Sequence, residues 1–181
     1  MKVTPLKISD VKLIQPDVFE DERGFFYESF NQKKFNDSLN EEIRFVQDNH
    51  SKSRKGVLRG LHFQAYPFSQ GKLVRVIYGE IFDVAVDLRR ESPTFGKWCG
   101  KKLSSDNKFQ LWIPKGFAHG FQVLSNEAEV IYKVTDFYNP NNEYTLRYDI
   151  KEIDIDWPLK EFVLSDKDSK GLSLKEAEKF L

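Results

Sequence analysis

Residues 72–88 carry the pattern that most restricts this chain. Val74, Val76 and Tyr78 alternate along one run, Gly79-Glu80 makes a turn, and Phe82, Val84, Val86 and Leu88 then share one face of a second run. Asp83, Ala85 and Asp87 fall on the other face. Side chains alternate with period two along a strand, so the stretch reads as two antiparallel strands joined by a tight turn. Residues 109–113, 121–124, 130–136 and 145–150 continue the series. Turn-rich stretches separate them, such as Ser104-Ser105-Asp106-Asn107 and Tyr138-Asn139-Pro140-Asn141-Asn142. Many short alternating strands predict an all-β sandwich or barrel. The helical patterns are short and peripheral. Residues 31–39 are mostly polar, and residues 173–181 place Leu174, Ala177 and Leu181 at helical spacing behind a Ser173 cap. The acidic stretch 154–164 leads out of the sheet towards that last helix. There is no βαβ rhythm and no glycine-rich phosphate loop, which argues against a Rossmann-type or P-loop fold.

The length, 181 residues, suits one domain spanning 1–181. A single cysteine, Cys99, cannot make an internal disulfide, so a disulfide-built secreted scaffold is excluded. Lys plus Arg number 28 and Asp plus Glu number 28, leaving no basic excess for general nucleic-acid or anionic-membrane binding. No apolar run approaches the ~20 residues of a membrane span, and the first ten residues show no secretory-signal pattern. The expectation is a cytoplasmic protein with no nucleic-acid and no membrane partner. The chain is 14% aromatic, with 16 Phe, enough for a core with some rings left for a ligand site.

Three stretches, expected between strands, concentrate reactive groups. They are GVLRGLHFQ at 56–64 with Lys72 further on, IPKGFAHGF at 113–121, and YKVTDFY at 132–138. By residue type alone each group has two readings. His62 is a general base or a satisfied structural histidine, Tyr132 is a proton donor or a core aromatic, and Lys72 holds an oxyanion or is a solvated strand-end lysine. Imidazole titrates near 6.5 and phenol near 10, which suits them to base and acid roles at neutral pH. Strand alternation puts Tyr132 and Lys133 on opposite faces, so only one of them can point into a given pocket.

The spacing of Gly56 to His62-Phe63-Gln64 resembles the first motif of the cupin jelly rolls, and Pro114-x-Gly116-x-x-His119 resembles the second. That resemblance implies a cupin-type double-stranded β-helix (jelly roll) with short peripheral helices. Metal-binding cupins carry HxH and a Glu in the first motif and one His in the second. Here Gln64 stands for the second His, and residues 65–71 contain no acid. Two His without a carboxylate are a poor donor set for zinc or iron. No metal and no cofactor are expected.

Over nearly its whole length the chain also resembles the dTDP-4-dehydrorhamnose 3,5-epimerases. The matching stretches are FEDERGFFYESF at 19–30, QDNHS at 47–51, LRGLHFQ at 58–64, QGKLVR at 70–75 and DLRRESPTFG at 87–96. GFAHGF at 116–121, YKVTD at 132–136, IDWP at 155–158 and LSDKD at 164–168 complete the series. The resemblance implies an isomerase that removes and returns protons at C3 and C5 of a nucleotide diphosphate sugar with a ketone at C4. It implies His62 as base, paired with Asp168, Tyr132 as acid, and Lys72 at the enolate oxygen. Arg23 and Arg59 are expected at the diphosphate, where a guanidinium offers a planar fork. Glu28, Gln47, Asn49, His119, Glu143 and Lys167 are expected to line the substrate site, with Tyr138 stacking on the thymine. A homodimer is implied too, with strand exchange and with Arg23 and its neighbours reaching the site of the other subunit. The alternatives are an epimerase acting at C3 or C5 only, a non-catalytic sugar-binding cupin, and a metal-dependent cupin dioxygenase, which Gln64 undermines. Residues 66–69 and 142–148 depart from the family pattern and bear on which sugar or base is accepted.

Overall fold

In the computed structural model, which describes residues 1–181, the alternating runs resolve into thirteen strands. In chain order they are β1 (Lys2–Pro5), β2 (Lys12–Gln15), β3 (Phe19–Asp21), β4 (Gly24–Phe26) and β5 (Gln47–Arg54). Next come β6 (Leu58–Gln64), β7 (Lys72–Tyr78), β8 (Glu80–Asp87) and β9 (Trp98–Ser104). Last are β10 (Gln110–Ile113), β11 (Phe117–Val123), β12 (Glu127–Val134) and β13 (Glu143–Thr145). The helices are α1 (Gln32–Leu39), α2 (Asp166–Ser169) and α3 (Leu174–Ala177), the last continued by a 3₁₀ turn, Glu178–Phe180.

Two antiparallel sheets face each other, ordered β1-β2-β10-β7-β12-β5 and β13-β6-β11-β8-β9, and β3-β4 forms a separate hairpin. The expected all-β jelly roll with short peripheral helices is therefore the observed architecture. Alternation decides what lies between the sheets. Val74 and Val76 of β7, Ile81 and Ala85 of β8, Phe117 and Phe121 of β11, and Ala128 and Val130 of β12 form one buried cluster there. The opposite parity of β8 and β11, Val84, Val86 and Ala118, packs outward under the C-terminal segment with Ile153, Trp157 and Ala177. Burying each Val, Ile or Phe among them contributes roughly 1.5–3 kcal/mol, so both faces of the five-stranded sheet hold the fold together.

Helix α1 begins where Asn31 accepts from the Lys34 amide at 3.1 Å, a cap worth ~1 kcal/mol. Its one buried residue, Phe35, meets Trp112 edge-on at 5.4 Å and covers the outer face of β2, β10 and β7. Ser173 caps α3 in a capping box with Glu176. The stretch 154–164 runs from the sheet towards the C-terminal helices. It wraps the outer face, held by the buried Gln122 side chain, which exchanges two 3.0 Å hydrogen bonds with the Leu159 backbone. No helix is long and apolar enough to cross a membrane.

Two expectations need correcting. The histidine-bearing stretches lie within strands β6 and β11 rather than between strands. The run expected at 145–150 is strand only over Glu143–Thr145, because Leu146 then pairs with Leu172 and the chain turns away.

Candidate active site

At one end of the space between the sheets the inward-facing residues stop being apolar. A cavity of about 420 Å³ opens there. The five-stranded sheet contributes His62 from β6, His119 and Phe121 from β11, and Glu143 from β13; Arg59 of β6 stands at the rim. The six-stranded sheet contributes Lys72 from β7, Tyr132 from β12, and Gln47, Asn49 and Ser51 from β5. Gln70, Tyr138 and Lys167 close the margin. His62 and Tyr132 therefore stand on opposite walls.

His62 and His119 sit directly opposite each other on β6 and β11. The strands approach closely beside them at Gly60 and Gly120. A Cβ on Gly120 would lie 2.6 Å from the Arg59 carbonyl, and Gly60 has a φ of +125° that other residues rarely adopt. The His62 Nε2 lies 2.6 Å from Asp168 Oδ1. Asp168 is fixed by α2, whose Ser165 cap accepts from the Asp168 amide at 3.1 Å. Burial works to raise the Asp168 carboxyl, but the hydrogen bond and charge of His62 outweigh it and hold it below its ordinary value. An ionised carboxylate on one ring nitrogen fixes the tautomer and supports the imidazolium that forms when the other nitrogen takes a proton.

Lys72 is buried, and its ammonium donates to the His62 carbonyl at 3.2 Å. Burial pushes it down to about 8, against the opposing pull of Glu143 and Asp83. Burial also raises the Tyr132 phenol, which keeps it protonated at neutral pH. At the rim, Arg59 is held by Nε donating to Ser53 Oγ at 2.8 Å. Glu143 accepts from Tyr138 Oη at 3.0 Å and pairs with Lys167. Burial alone would raise Glu143; the Lys167 ammonium reverses that and keeps it ionised. Lys133 points away, as alternation requires, and pairs with Asp48 at 3.0 Å.

Among the residues expected at the site, His62, Lys72, Tyr132, Gln47, Asn49, Arg59, His119, Tyr138, Glu143 and Lys167 line one cavity, with Asp168 behind His62. Arg23 and Glu28 do not join them within this chain. Arg23 stands at the β3-β4 turn, its side chain 90% exposed and bonded to Asp21, while Glu28 pairs with Lys34 at 2.9 Å. Sequence reasoning missed Ser51, Gln70 and Phe121 as lining residues. For Ser51 and Phe121 the signal is spacing, since each lies two positions along a strand from an expected site residue, Asn49 and His119; Gln70 lies before β7 and has no such signal.

Gln64, at the place of a metal-ligand histidine in cupins, is used differently. Its amide donates to the Phe68 carbonyl at 2.6 Å and the Phe137 carbonyl at 3.2 Å, and accepts from the Asn139 amide at 2.8 Å. It ties together the two loops beside the cavity. No group of three or more His, Cys, Asp or Glu is placed to hold a metal ion.

Comparison with known proteins decides the family. The model of the dTDP-4-dehydrorhamnose 3,5-epimerase family matches residues 5–176. The chain belongs to that family. It is 56% identical to the dTDP-4-dehydrorhamnose 3,5-epimerase of Shigella flexneri over the full length of both chains. To the enzyme of the same name from Pseudomonas aeruginosa it is 55% identical over 99% of each. The Legionella pneumophila epimerase, solved in complex with dTDP-4-keto-L-rhamnose, superposes with a TM-score of 0.93 at 52% identity, covering 96% of this chain and 93% of that one. A family of isomerases acting on nucleotide sugars thus accounts for a cavity that has a histidine–carboxylate pair on one wall and a phenol on the other.

Proposed function

We propose that this chain is a dTDP-4-dehydrorhamnose 3,5-epimerase, converting dTDP-4-dehydro-6-deoxy-D-glucose to dTDP-4-dehydro-L-rhamnose. The observation that carries the reading is the placing of His62, with its Asp168 partner, and Tyr132 on opposite sheets of one cavity that also holds the buried Lys72. Hydrogens at C3 and C5 are acidic because each neighbours the C4 ketone. His62 takes the proton from one face, the C–H pair moves into an enolate, and the oxygen charge develops against the Lys72 ammonium. A preorganised donor of this kind is worth roughly 3–4 kcal/mol. Tyr132 then returns a proton to the other face, which inverts the carbon. The imidazolium and phenolate reset by exchange with solvent. Arg59 takes the diphosphate, Gln47, Asn49, Glu143 and Lys167 fix the sugar and nucleotide, and Tyr138 stacks on the base.

The homodimer belongs to the same proposal. The β3-β4 hairpin carries Phe19, Phe25 and Phe26 at 66%, 57% and 72% exposure, an apolar arm with little cover from its own chain. Packed on a second copy, it would bring Arg23 to the partner's cavity and place Glu28 near its margin. The chain acts as one domain over 1–181. With its one buried thiol, Cys99, free, it suits a reducing cytoplasm.

The test is product analysis. Purified protein with dTDP-4-dehydro-6-deoxy-D-glucose is followed by NMR for configuration at C3 and C5. Inversion of both supports the reading. Inversion at one carbon makes it a mono-epimerase, and binding without turnover makes it a sugar-binding cupin.

A further inference from the structure

A second histidine–carboxylate pair lies beside the first, on a residue the reaction scheme leaves unused. Asp83 sits on β8 with no exposed surface, and its Oδ1 lies 2.7 Å from Nε2 of His119. The two are diagonal neighbours across β8 and β11, because Ala85 is the residue directly opposite His119 and Phe121 is opposite Asp83. The other oxygen, Oδ2, is buried with no hydrogen-bond partner. A buried carboxylate that is only half satisfied is costly, and an apolar residue of similar volume would pack there at least as well. Its neighbours suggest what offsets the cost. Strand alternation points Asp83 into the space between the sheets, on the face shared by Ile81 and Ala85 and turned towards the six-stranded sheet that carries Lys72.

We propose that Asp83 is a positioning residue for the epimerisation: it holds the His119 ring with Nδ1 turned to the sugar, and it supplies the buried counter-charge of the Lys72 ammonium. With Nε2–H donated to Asp83, the His119 Nδ1 is left bare and makes no hydrogen bond within the chain, so it accepts from a sugar hydroxyl. His119 stays neutral, because burial lowers it more than Asp83 raises it, with Lys72 and His62 lowering it further. The charged and titratable groups that share the cavity with Lys72 are Arg59 and His62 from β6, His119 from β11, Tyr132 from β12, Glu143 from β13, Lys167 from α2 and Tyr138 from the loop before β13, with Asp83 of β8 behind His119. Of these, Asp83 and Glu143 favour the ammonium and Lys167 opposes it. Glu143 is already engaged by Lys167 and Tyr138. Asp83 bonds the inner side of His119, which lines one cavity with Lys72, so the buried carboxylate and the ammonium face the same enclosed space and no cation is in contact with Asp83.

The inference rests on the proposed reaction, and the test separates the two. Wild-type protein is assayed first; failure to epimerise overturns the proposed function, whatever Asp83 does. With active wild type, the pH profiles of kcat and kcat/KM are compared with those of Asp83→Asn, an isostere that still offers His119 an oxygen. Removing the negative charge makes the Lys72 ammonium easier to deprotonate. The alkaline limb of both profiles therefore moves to lower pH, and each unit of movement multiplies the loss at high pH about tenfold. A folded variant whose alkaline limb coincides with that of wild type overturns the proposal, even if its stability has fallen. The wild-type protein gives a second reading that needs no variant. Nitrogen-15 NMR of His119 at neutral pH shows the proton on Nε2 and a bare Nδ1. A proton on Nδ1 instead overturns the positioning claim.

Discussion

Lys72, in its proposed place at the enolate oxygen, trades stability for chemistry. Its ammonium is buried and titrates at about 8 instead of near 10.5. Between those values the unfolded chain binds the proton that the folded chain has released, so stability rises with pH across that window. Below about 8 the buried charge weighs against the fold. Replacing Lys72 by Met is therefore expected to stabilise the protein at neutral pH, by up to the order of 3 kcal/mol, while abolishing epimerisation. Thermal unfolding and turnover of the variant check both halves. A Lys72→Met protein that is less stable than wild type contradicts the burial argument. Tyr132 is the complementary case. Burial raises its phenol, so it holds its proton through neutral pH, as the proposed acid role requires. Tyr132→Phe is expected to slow reprotonation more than the first abstraction, leaving substrate hydrogens exchanging while product formation lags. Normal turnover by Tyr132→Phe removes it from the role of acid.

The elements decide how these side chains are presented, and the C-terminal wrap is the one most open to test. Asp168 reaches His62 only because residues 154–164 cross the outer face of the five-stranded sheet, pinned by Gln122 to Leu159 and by the pairing of Val163 with Val57. Gln122→Ala removes two buried hydrogen bonds and is expected to cost about 2–3 kcal/mol. Turnover should fall through loss of the Asp168 contact, although Gln122 itself lines no part of the cavity. Faster amide exchange across 154–168 would report the loosening, and unchanged exchange with unchanged turnover would show the pin to be idle. The sequence made part of this legible. The apolar alternation of β7 and β8 was plain, and the Ser173 cap announced α3. Strand β5, QDNHSKSR, was hidden. Its burial alternates while its hydropathy does not, since Gln47, Asn49 and Ser51 face a polar cavity and Asp48, His50 and Lys52 face solvent. The same physics hid β6 and the first half of β11, of which only the end from Phe121 reads as strand. Their histidines occupy inward positions where a core residue would sit, which breaks the apolar rhythm a strand assignment relies on.

At the scale of the whole molecule, the motifs point to residues that gather in one cavity, except Arg23 and Glu28, which the cavity of one chain does not include; the family resemblance assigns Arg23 to the other subunit's site. The exposed aromatic hairpin that carries Arg23 fits the proposed packing against another copy. Two variants inactive for different reasons test this. Arg23→Ala and His62→Ala are each expected to lose activity, and mixing them by co-expression should restore it. One site of the mixed dimer then combines an intact His62 with an intact Arg23 from the partner. No recovery, with mixed dimers present, would mean that Arg23 serves its own chain or none.

The central claim is that His62, held by Asp168, removes the protons that the two inversions require. It is tested most directly by incubating the protein with dTDP-4-dehydro-6-deoxy-D-glucose in heavy water and following deuterium by NMR. Wild type is expected to incorporate deuterium at both C3 and C5, and His62→Ala at neither while still binding dTDP. Undiminished incorporation by the His62→Ala protein would contradict the account.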